Sequence, residues 1–191
     1  AQMLEKSSYS ISLGNTHQDG IISSTGMDRY NVKVSADTKL TNNWSSGFTA
    51  NYITTSIDKA VTSGNGLLRT VYAAPPSYDL AGIPSHVDGN QYTQNSFRGS
   101  FDNAYWAMDN NKFTEDTNRF FGNVYASYQT DFGTTNHKLN AKYMVGVDAY
   151  TTHYVDSYGY GSNTGGGRGQ IENYGWTNAT YNSLLTINYD W

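Results

Sequence analysis

The chain of 191 residues has no cysteine, only three prolines and few charged side chains. Without cysteine it can form neither a disulfide framework nor a thiolate metal site. Charged residues make up 15% of the chain, against roughly 25% in an average soluble domain. The sequence has no run of about 18 apolar residues, so it predicts no transmembrane helix. The net charge of -4 argues against a nucleic-acid partner.

Tyrosine, glycine and small polar residues are abundant instead. Aromatic residues reach 15%, with 17 tyrosines, and there are 19 glycines. This composition suits β-structure joined by long polar loops. It equally suits an outer-membrane barrel, whose strands end in girdles of aromatic side chains. The length predicts a single domain.

The stretch 28–53 organises the rest of the chain. Apolar side chains alternate with polar ones from Tyr30 to Ala36, and the alternation resumes at Trp44 after turn residues at 41–43. A period of two on both sides of a short turn predicts a β-hairpin with one apolar and one polar face. Two environments produce such a hairpin. One is a soluble sandwich, whose apolar face meets a second sheet, and the other is an outer-membrane barrel, whose apolar face meets lipid.

The same alternation predicts six strands. They span 7–13, 29–40, 44–55, 119–129, 139–150 and 173–189. The connections alternate between long and short, at 14–28, 41–43, 56–118, 130–138 and 153–170. Long loops at one end and short turns at the other are typical of outer-membrane barrels, as are strands of about ten residues. Because the smallest such barrels have about eight strands, we expect the first and last strands to pair with polypeptide outside this chain.

Several groups of residues resemble, in chain order, motifs of one family. They are Tyr9 to Gly14 with Gln18 to Ile22 and Asp28 to Asn31, then Ala73 to Leu80, Phe101 to Trp106, and Asp116 to Asn123. The third group resembles an Asn-Pro-Tyr-Trp motif, with Ala104 in the place of the usual proline. In this order the motifs are similar to those in the barrel of SusC-like TonB-dependent transporters of the Bacteroidetes outer membrane.

The resemblance implies an all-β fold, an antiparallel transmembrane β-barrel of about 22 strands with long external loops. It further implies an N-terminal plug, a TonB-binding segment, and uptake of glycans or peptides with a SusD-like lipoprotein. Residues 1–191 show no plug and no TonB box, so we expect a partial barrel. Its partners would be the remaining barrel and plug, the surface lipoprotein, TonB acting through the plug, and outer-membrane lipid.

Two sets of residues are the candidates for contact with cargo or lid. Charged side chains on the polar strand faces are expected to line the lumen: Lys33, Asp37, Lys142 and Asp148. Residues of the long loop are expected to contact substrate or lid: Tyr78, Asp79, Tyr92, Arg98, Phe101, Tyr105 and Trp106. The alternative for the aromatic members is that they fold the loop on itself. Tyr105 and Trp106 fit this alternative best, since their motif accompanies any substrate in the family.

No pattern points to catalysis, a cofactor or a metal. The histidines at 17, 86, 137 and 153 lie far apart, without the spacing of metal ligands. The stretch 109–115 loosely resembles a calcium loop, but Phe113 occupies a ligand position. The glycines at 165–169 lack the strand and helix that flank a phosphate-binding loop. We therefore expect that the chain is not an enzyme. The runner-up function is a soluble or surface-attached β-sandwich that binds glycans.

Overall fold

Strands account for 64% of the chain in the computed structural model, which describes residues 7–61, 66–132 and 137–191. The expected all-β class is confirmed. The strands are β1 (Ser7–Asp19), β2 (Gly26–Lys39), β3 (Trp44–Lys59), β4 (His86–Val87), β5 (Asn90–Gln94), β6 (Lys112–Phe132), β7 (His137–Tyr158) and β8 (Gln170–Asp190). The helices are α1 (Leu67–Ala73) and α2 (Ala104–Asn110).

Six of the strands form one open antiparallel sheet. Their order is β1-β2-β3-β6-β7-β8, so strands that follow each other in the chain lie side by side. Pairing is continuous along each neighbouring pair, and β6 and β7 stay in register from Lys112–Ser157 to Phe132–His137. In the described residues β1 and β8 are the two edges, and the sheet does not close into a barrel.

The strands are longer than the alternation predicted. β6 covers 112–132 instead of 119–129, and β7 covers 137–158 instead of 139–150. The same error affects the other four strands, which span 7–19, 26–39, 44–59 and 170–190. The physical reason is that apolar alternation ends while backbone pairing continues through polar residues, as from Thr114 to Asn118. The described parts of the predicted loops therefore shrink to 20–25, to 60–61 with 66–111, and to 159–169.

The turn between β2 and β3 is confirmed. Thr41 Oγ1 accepts hydrogen bonds from the backbone N–H groups of Asn43 and Trp44, at 3.2 and 3.0 Å. A threonine hydroxyl that bonds the backbone two and three residues ahead stabilises such a tight turn. Part of the other predicted turn, 133–136, lies outside the described residues.

The long connection between β3 and β6 is more ordered than expected. Its first element, α1, ends directly before the Pro75-Pro76 pair, which cannot continue a helix. The long loop expected at 56–118 also contains a hairpin, formed by β4 and β5, and a second helix, α2. Asp88 and Gly89 make the hairpin turn with positive φ angles of 52° and 71°, as a type I′ turn requires. We call 66–111 together with 159–169 the cap.

The hydrophobic core lies at one end of the sheet. The buried apolar residues are Phe101, Ala104, Trp106, Ala107 and Phe113, all in the cap or at the start of β6. The strand register places the long connections at this same end, because Gly26 pairs with Asp58 and Lys112 pairs with Ser157. The expected sidedness of the loops is thereby confirmed. No helix in the described part of the chain is long and apolar enough to cross a membrane.

Candidate functional site

One face of the sheet is a continuous band of uncharged, mostly apolar rows. Cross-strand register defines five rows, in which no side chain is Asp, Glu, Lys, Arg or His. From the cap end they are Leu13, Val32, Tyr52, Phe120, Ala149 and Ala179; Ile11, Val34, Ala50, Gly122, Val147 and Tyr181; Tyr9, Ala36, Phe48, Val124, Val145 and Ser183; Ser7, Thr38, Ser46, Ala126, Tyr143 and Leu185; and Trp44, Tyr128, Ala141 and Ile187. We call this the apolar face.

The apolar face is uncovered in the described structure. Val124 is 53% exposed and Leu185 is 60% exposed, values far above those of a sandwich core. Along β7 the five rows run from Ala141 to Ala149 and Leu139 continues the same side, so the alternation extends over about ten residue steps. At about 3.3 Å per residue and a tilt of about 40°, such a strand rises about 25 Å. That height matches the apolar band of an outer-membrane barrel.

The rows just beyond the apolar face change chemistry at the cap end. His17 lies 2.7 Å from Asp28 across β1 and β2, and Ser56 donates a hydrogen bond of 2.6 Å to Asp116. The hydrogen bond to the Asp28 carboxylate raises the pKa of His17, and the charges of Asp28 and Asp19 add to this shift. At the opposite end the rings of Trp44 and Tyr128 pack with centroids 5.0 Å apart. The apolar face therefore has charged side chains at its cap end and packed aromatic rings at its opposite end.

The opposite face, which we call the polar face, contains charged residues at the same level of the strands as the apolar rows. As the alternation predicted, Lys33, Asp37, Lys142 and Asp148 all lie on it. The Tyr125 hydroxyl donates a hydrogen bond of 2.6 Å to Asp37, while Lys142 Nζ lies 4.1 Å from the centre of the Tyr125 ring. These contacts link two charged side chains and a tyrosine from three strands into one polar surface.

Asp148 forms a two-point ion pair with Arg119 on the polar face. Arg119 contacts it with two nitrogens, and the Nε–Oδ1 distance is 2.8 Å. A two-point arginine–carboxylate pair fixes the geometry of both side chains. Since both side chains are more than a third exposed, solvent screens the pair and it contributes little to stability. Its main effect is therefore on the charge pattern of the surface.

A buried polar network holds the two parts of the cap together. Asp102, 1% exposed, accepts hydrogen bonds from Gln94 Nε2, Ser162 Oγ and the Asn163 N–H at 2.8, 2.6 and 2.7 Å. Gln94 Nε2 also donates to the Gly161 carbonyl at 2.9 Å. Gly161 has a φ of 99° and lies against the Tyr92 carbonyl, where a side chain would clash.

Asn103 starts α2 from within this network. Its side-chain oxygen accepts hydrogen bonds from the N–H groups of Tyr105 and Trp106 at 3.0 and 3.2 Å, as a helix N-cap does. Its side-chain nitrogen donates to the Asn95 carbonyl at 2.7 Å. The sequence analysis identified the neighbouring aromatic residues and missed Asp102 and Asn103. The available signal was the pair of capping residues directly before the Ala-Tyr-Trp run.

The candidate loop residues divide into two groups by burial. Phe101 and Trp106 are 5% and 0% exposed, and Trp106 Nε1 donates to the Gln91 carbonyl at 2.8 Å. Their rings have no open side for a ligand, which corrects the expectation of direct contact for these two. Tyr78 is half-buried, and its ring packs 5.7 Å from that of Phe97. The exposed candidates are Asp79, Tyr92, Arg98 and Tyr105.

A second aromatic cluster, on the polar face next to the cap, escaped the sequence analysis. Tyr154 on β7 stacks on Tyr174 of β8, with centroids 5.0 Å apart and planes 7° apart. Trp176 lies 5.1 Å from Tyr154. The cluster was missed because 153–170 was interpreted as loop, so Tyr154 had no predicted cross-strand neighbours. The parity of Tyr174 and Trp176 within β8 was the usable signal.

The described residues contain no group of three or more His, Asp or Glu side chains placed to hold a metal ion. They contain a sheet with one apolar and one polar face, a cap at one end of the sheet, and an aromatic cluster on the polar face next to the cap. Such an arrangement can bind and orient molecules. No family model matches the chain, and no curated protein matches it.

Proposed function

We propose that this chain is a wall segment of an outer-membrane β-barrel importer of the SusC-like, TonB-dependent class. The apolar face contacts lipid and the polar face lines an aqueous pore. The cap lies on the external side, where it meets cargo or a SusD-like lipoprotein. The cargo consists of glycans or peptides, and uptake draws energy from TonB through a plug that residues 1–191 do not supply.

The absence of charge from the five apolar rows is the observation that supports this proposal. The same strands place Lys33, Asp37, Lys142 and Asp148 on the polar face. Charged side chains facing hydrocarbon destabilise a barrel by about 2–4 kcal/mol near the midplane, whereas lumen positions tolerate charge. An exposed band without charge, opposite a charged face, therefore suits lipid on one side and water on the other.

The two unpaired edges of the sheet favour a segment of a larger barrel and argue against a complete barrel formed by this chain alone. β1 and β8 have neighbours on one side only among the described residues. In hydrocarbon each unpaired backbone group costs several kcal/mol, so both edges need further strands. The rest of the barrel would supply them.

The alternative function is a soluble or surface-attached β-sandwich that binds glycans. It requires a second sheet about 10 Å above the apolar face. The described residues contain no such layer, and Val145 is 40% exposed. The sandwich would therefore need its second sheet from another polypeptide.

Sidedness in whole cells tests the proposal. The chain has no native cysteine, so each introduced cysteine is the only thiol. Tyr105→Cys places it in the cap and Asn42→Cys in the turn at the opposite end, and both positions are exposed. In bacteria with the chain in their outer membrane, a membrane-impermeant maleimide should label the cap cysteine at once. It should label the turn cysteine only after the outer membrane is permeabilised.

The sandwich predicts a different result for the same pair of variants. Both cysteines would then have equal access to the reagent, and the chain would leave the membrane fraction in alkaline carbonate. Either observation would overturn the proposed wall segment. Variants that stay in the membrane and differ in labelling would support it.

A further inference from the structure

The aromatic cluster of Tyr154, Tyr174 and Trp176 has open ring surface. Tyr174 and Trp176 are 44% and 51% exposed on the polar face of β8. The stacking of Tyr154 on Tyr174 fixes the orientation of two of the rings. Rigid, amphipathic rings that are partly exposed and already oriented favour binding, since little side-chain freedom remains to be lost.

Asp156 brings an unused hydrogen-bond acceptor to this cluster. Its Oδ2 accepts a hydrogen bond of 3.1 Å from the Tyr174 hydroxyl. Its Oδ1 is buried and has no hydrogen-bond partner among the described residues. Buried polar atoms nearly always have partners, and an exception indicates a donor that arrives with a ligand or with water.

A pocket of about 150 Å³ adjoins the carboxylate. Its walls include Lys59, Phe113, Asp156 and Tyr174. The Lys59 ammonium lies 3.3 Å from Glu115 and 4.3 Å from the centre of the Tyr154 ring, so its charge is already balanced. The volume suits a single small group, such as one sugar ring edge, and not a bulky side chain.

The local charge restricts the ligand further. Glu172 lies directly across from Asp156 in the β7–β8 register, so two carboxylates stand on neighbouring strands beside the pocket. An anionic ligand would be repelled by this pair. A neutral ligand with hydroxyl donors would not be, and it could satisfy Asp156 Oδ1 directly.

We propose that Tyr174, Trp176 and Asp156 form a binding subsite for a neutral saccharide. The apolar C–H face of a sugar ring packs on the exposed aromatic rings, and one of its hydroxyls donates a hydrogen bond to Asp156 Oδ1. The inference deepens the proposed function and rests on it for its biological meaning, because an importer wall would present this subsite to cargo. Peptide cargo would instead meet the subsite through an ammonium group, without ring stacking.

Calorimetric titration of the purified chain in detergent micelles tests the subsite. The probes are two neutral hexasaccharides, maltohexaose and cellohexaose, at up to about 10 mM, and the peptide trilysine. We expect saturable binding of at least one hexasaccharide. Asp156→Asn and Trp176→Ala should each weaken it by about tenfold or more, the loss of one good contact. Asp131→Asn removes a carboxylate from the same face at the other end, and it should bind like the unaltered chain.

Three outcomes would overturn the subsite: no saturable binding of either hexasaccharide, unchanged affinity in both variants, or binding of trilysine alone. The Asp156→Asn variant preserves side-chain shape, and circular dichroism verifies that each variant retains its β-structure. Binding in micelles does not depend on cellular sidedness. Failure of the subsite and failure of the wall-segment proposal therefore remain distinguishable.

Discussion

Asp102 and Ser162 are sixty positions apart in sequence, and the Ser162 hydroxyl donates a 2.6 Å hydrogen bond to the buried Asp102 carboxylate. The Asn163 N–H reaches the same carboxylate at 2.7 Å. Through these bonds the connection after β7 is fastened to the connection before β6. The cap is therefore one unit built on two loops, and the open sheet below it contributes little to its core.

Asp102→Ala should loosen both loops at once. The substitution leaves the Ser162 hydroxyl and the Asn163 N–H buried without an acceptor, at about 1–3 kcal/mol each. Amide hydrogen exchange should accelerate in 90–110 and in 159–169 together, while exchange in the centres of β6 and β7 stays unchanged. Asp109→Ala is the matched control, because Asp109 is exposed on α2. Faster exchange in only one of the two segments would contradict the coupling.

Trp106 and Tyr105 offer a contrast between adjacent aromatic residues. Trp106 is fully buried and Tyr105 is 42% exposed. Trp106→Ala should destabilise the cap by about 3–5 kcal/mol, because it removes packing and leaves a cavity. Tyr105→Ala should cost under about 1 kcal/mol, since a half-exposed ring loses little burial. Urea unfolding, monitored through hydrogen exchange of the cap amides, measures the destabilisation caused by each substitution. Equal values for the two variants would show that Trp106 is not the centre of the core.

The strand order and the two faces followed from sequence, because period-two alternation directly reports which side of a strand is apolar. Boundaries did not follow, since residues such as Thr114–Asn118 pair as strand without any apolar signal. Burial within the cap also did not follow. Helix α2 starts at Asn103, and this starting point buries Trp106 and exposes Tyr105. The position of Asn103 depends in turn on its hydrogen bond to the Asn95 carbonyl, eight residues earlier.

His17 provides a test of pH dependence at the cap end of the sheet. Its hydrogen bond to Asp28 raises its pKa above the ordinary 6.5, so its charged form is favoured in the folded chain. The stabilising contact is present below the unfolded pKa and is lost as pH rises through the folded value. Nuclear magnetic resonance titration of the imidazole should show the raised pKa, and Asp28→Asn should lower it. A pKa that stays the same in Asp28→Asn would rule out Asp28 as the main cause.

The position of β8 at an edge of the sheet predicts how fast its amide hydrogens exchange. In the purified chain, the β8 amides that point away from β7 should exchange fast, because the described residues supply no acceptor for them. Amides that bond between β6 and β7 should be protected, since both strands have two neighbours. Assembly with the remaining barrel should slow exchange in β8. Full protection of β8 in the chain alone would indicate that it already has a second partner strand.

Accessibility along β7 tests the central claim most directly. Spin labels placed on single cysteines at successive positions from 139 to 149, in a bilayer, report collisions with apolar oxygen and with a water-soluble nickel chelate. We expect oxygen to dominate at the odd positions, such as Val145 and Val147, and nickel to dominate at the even ones, such as Lys142 and Asp148. Odd positions shielded from both reagents would contradict the account, because a second protein layer would then cover the face assigned to lipid.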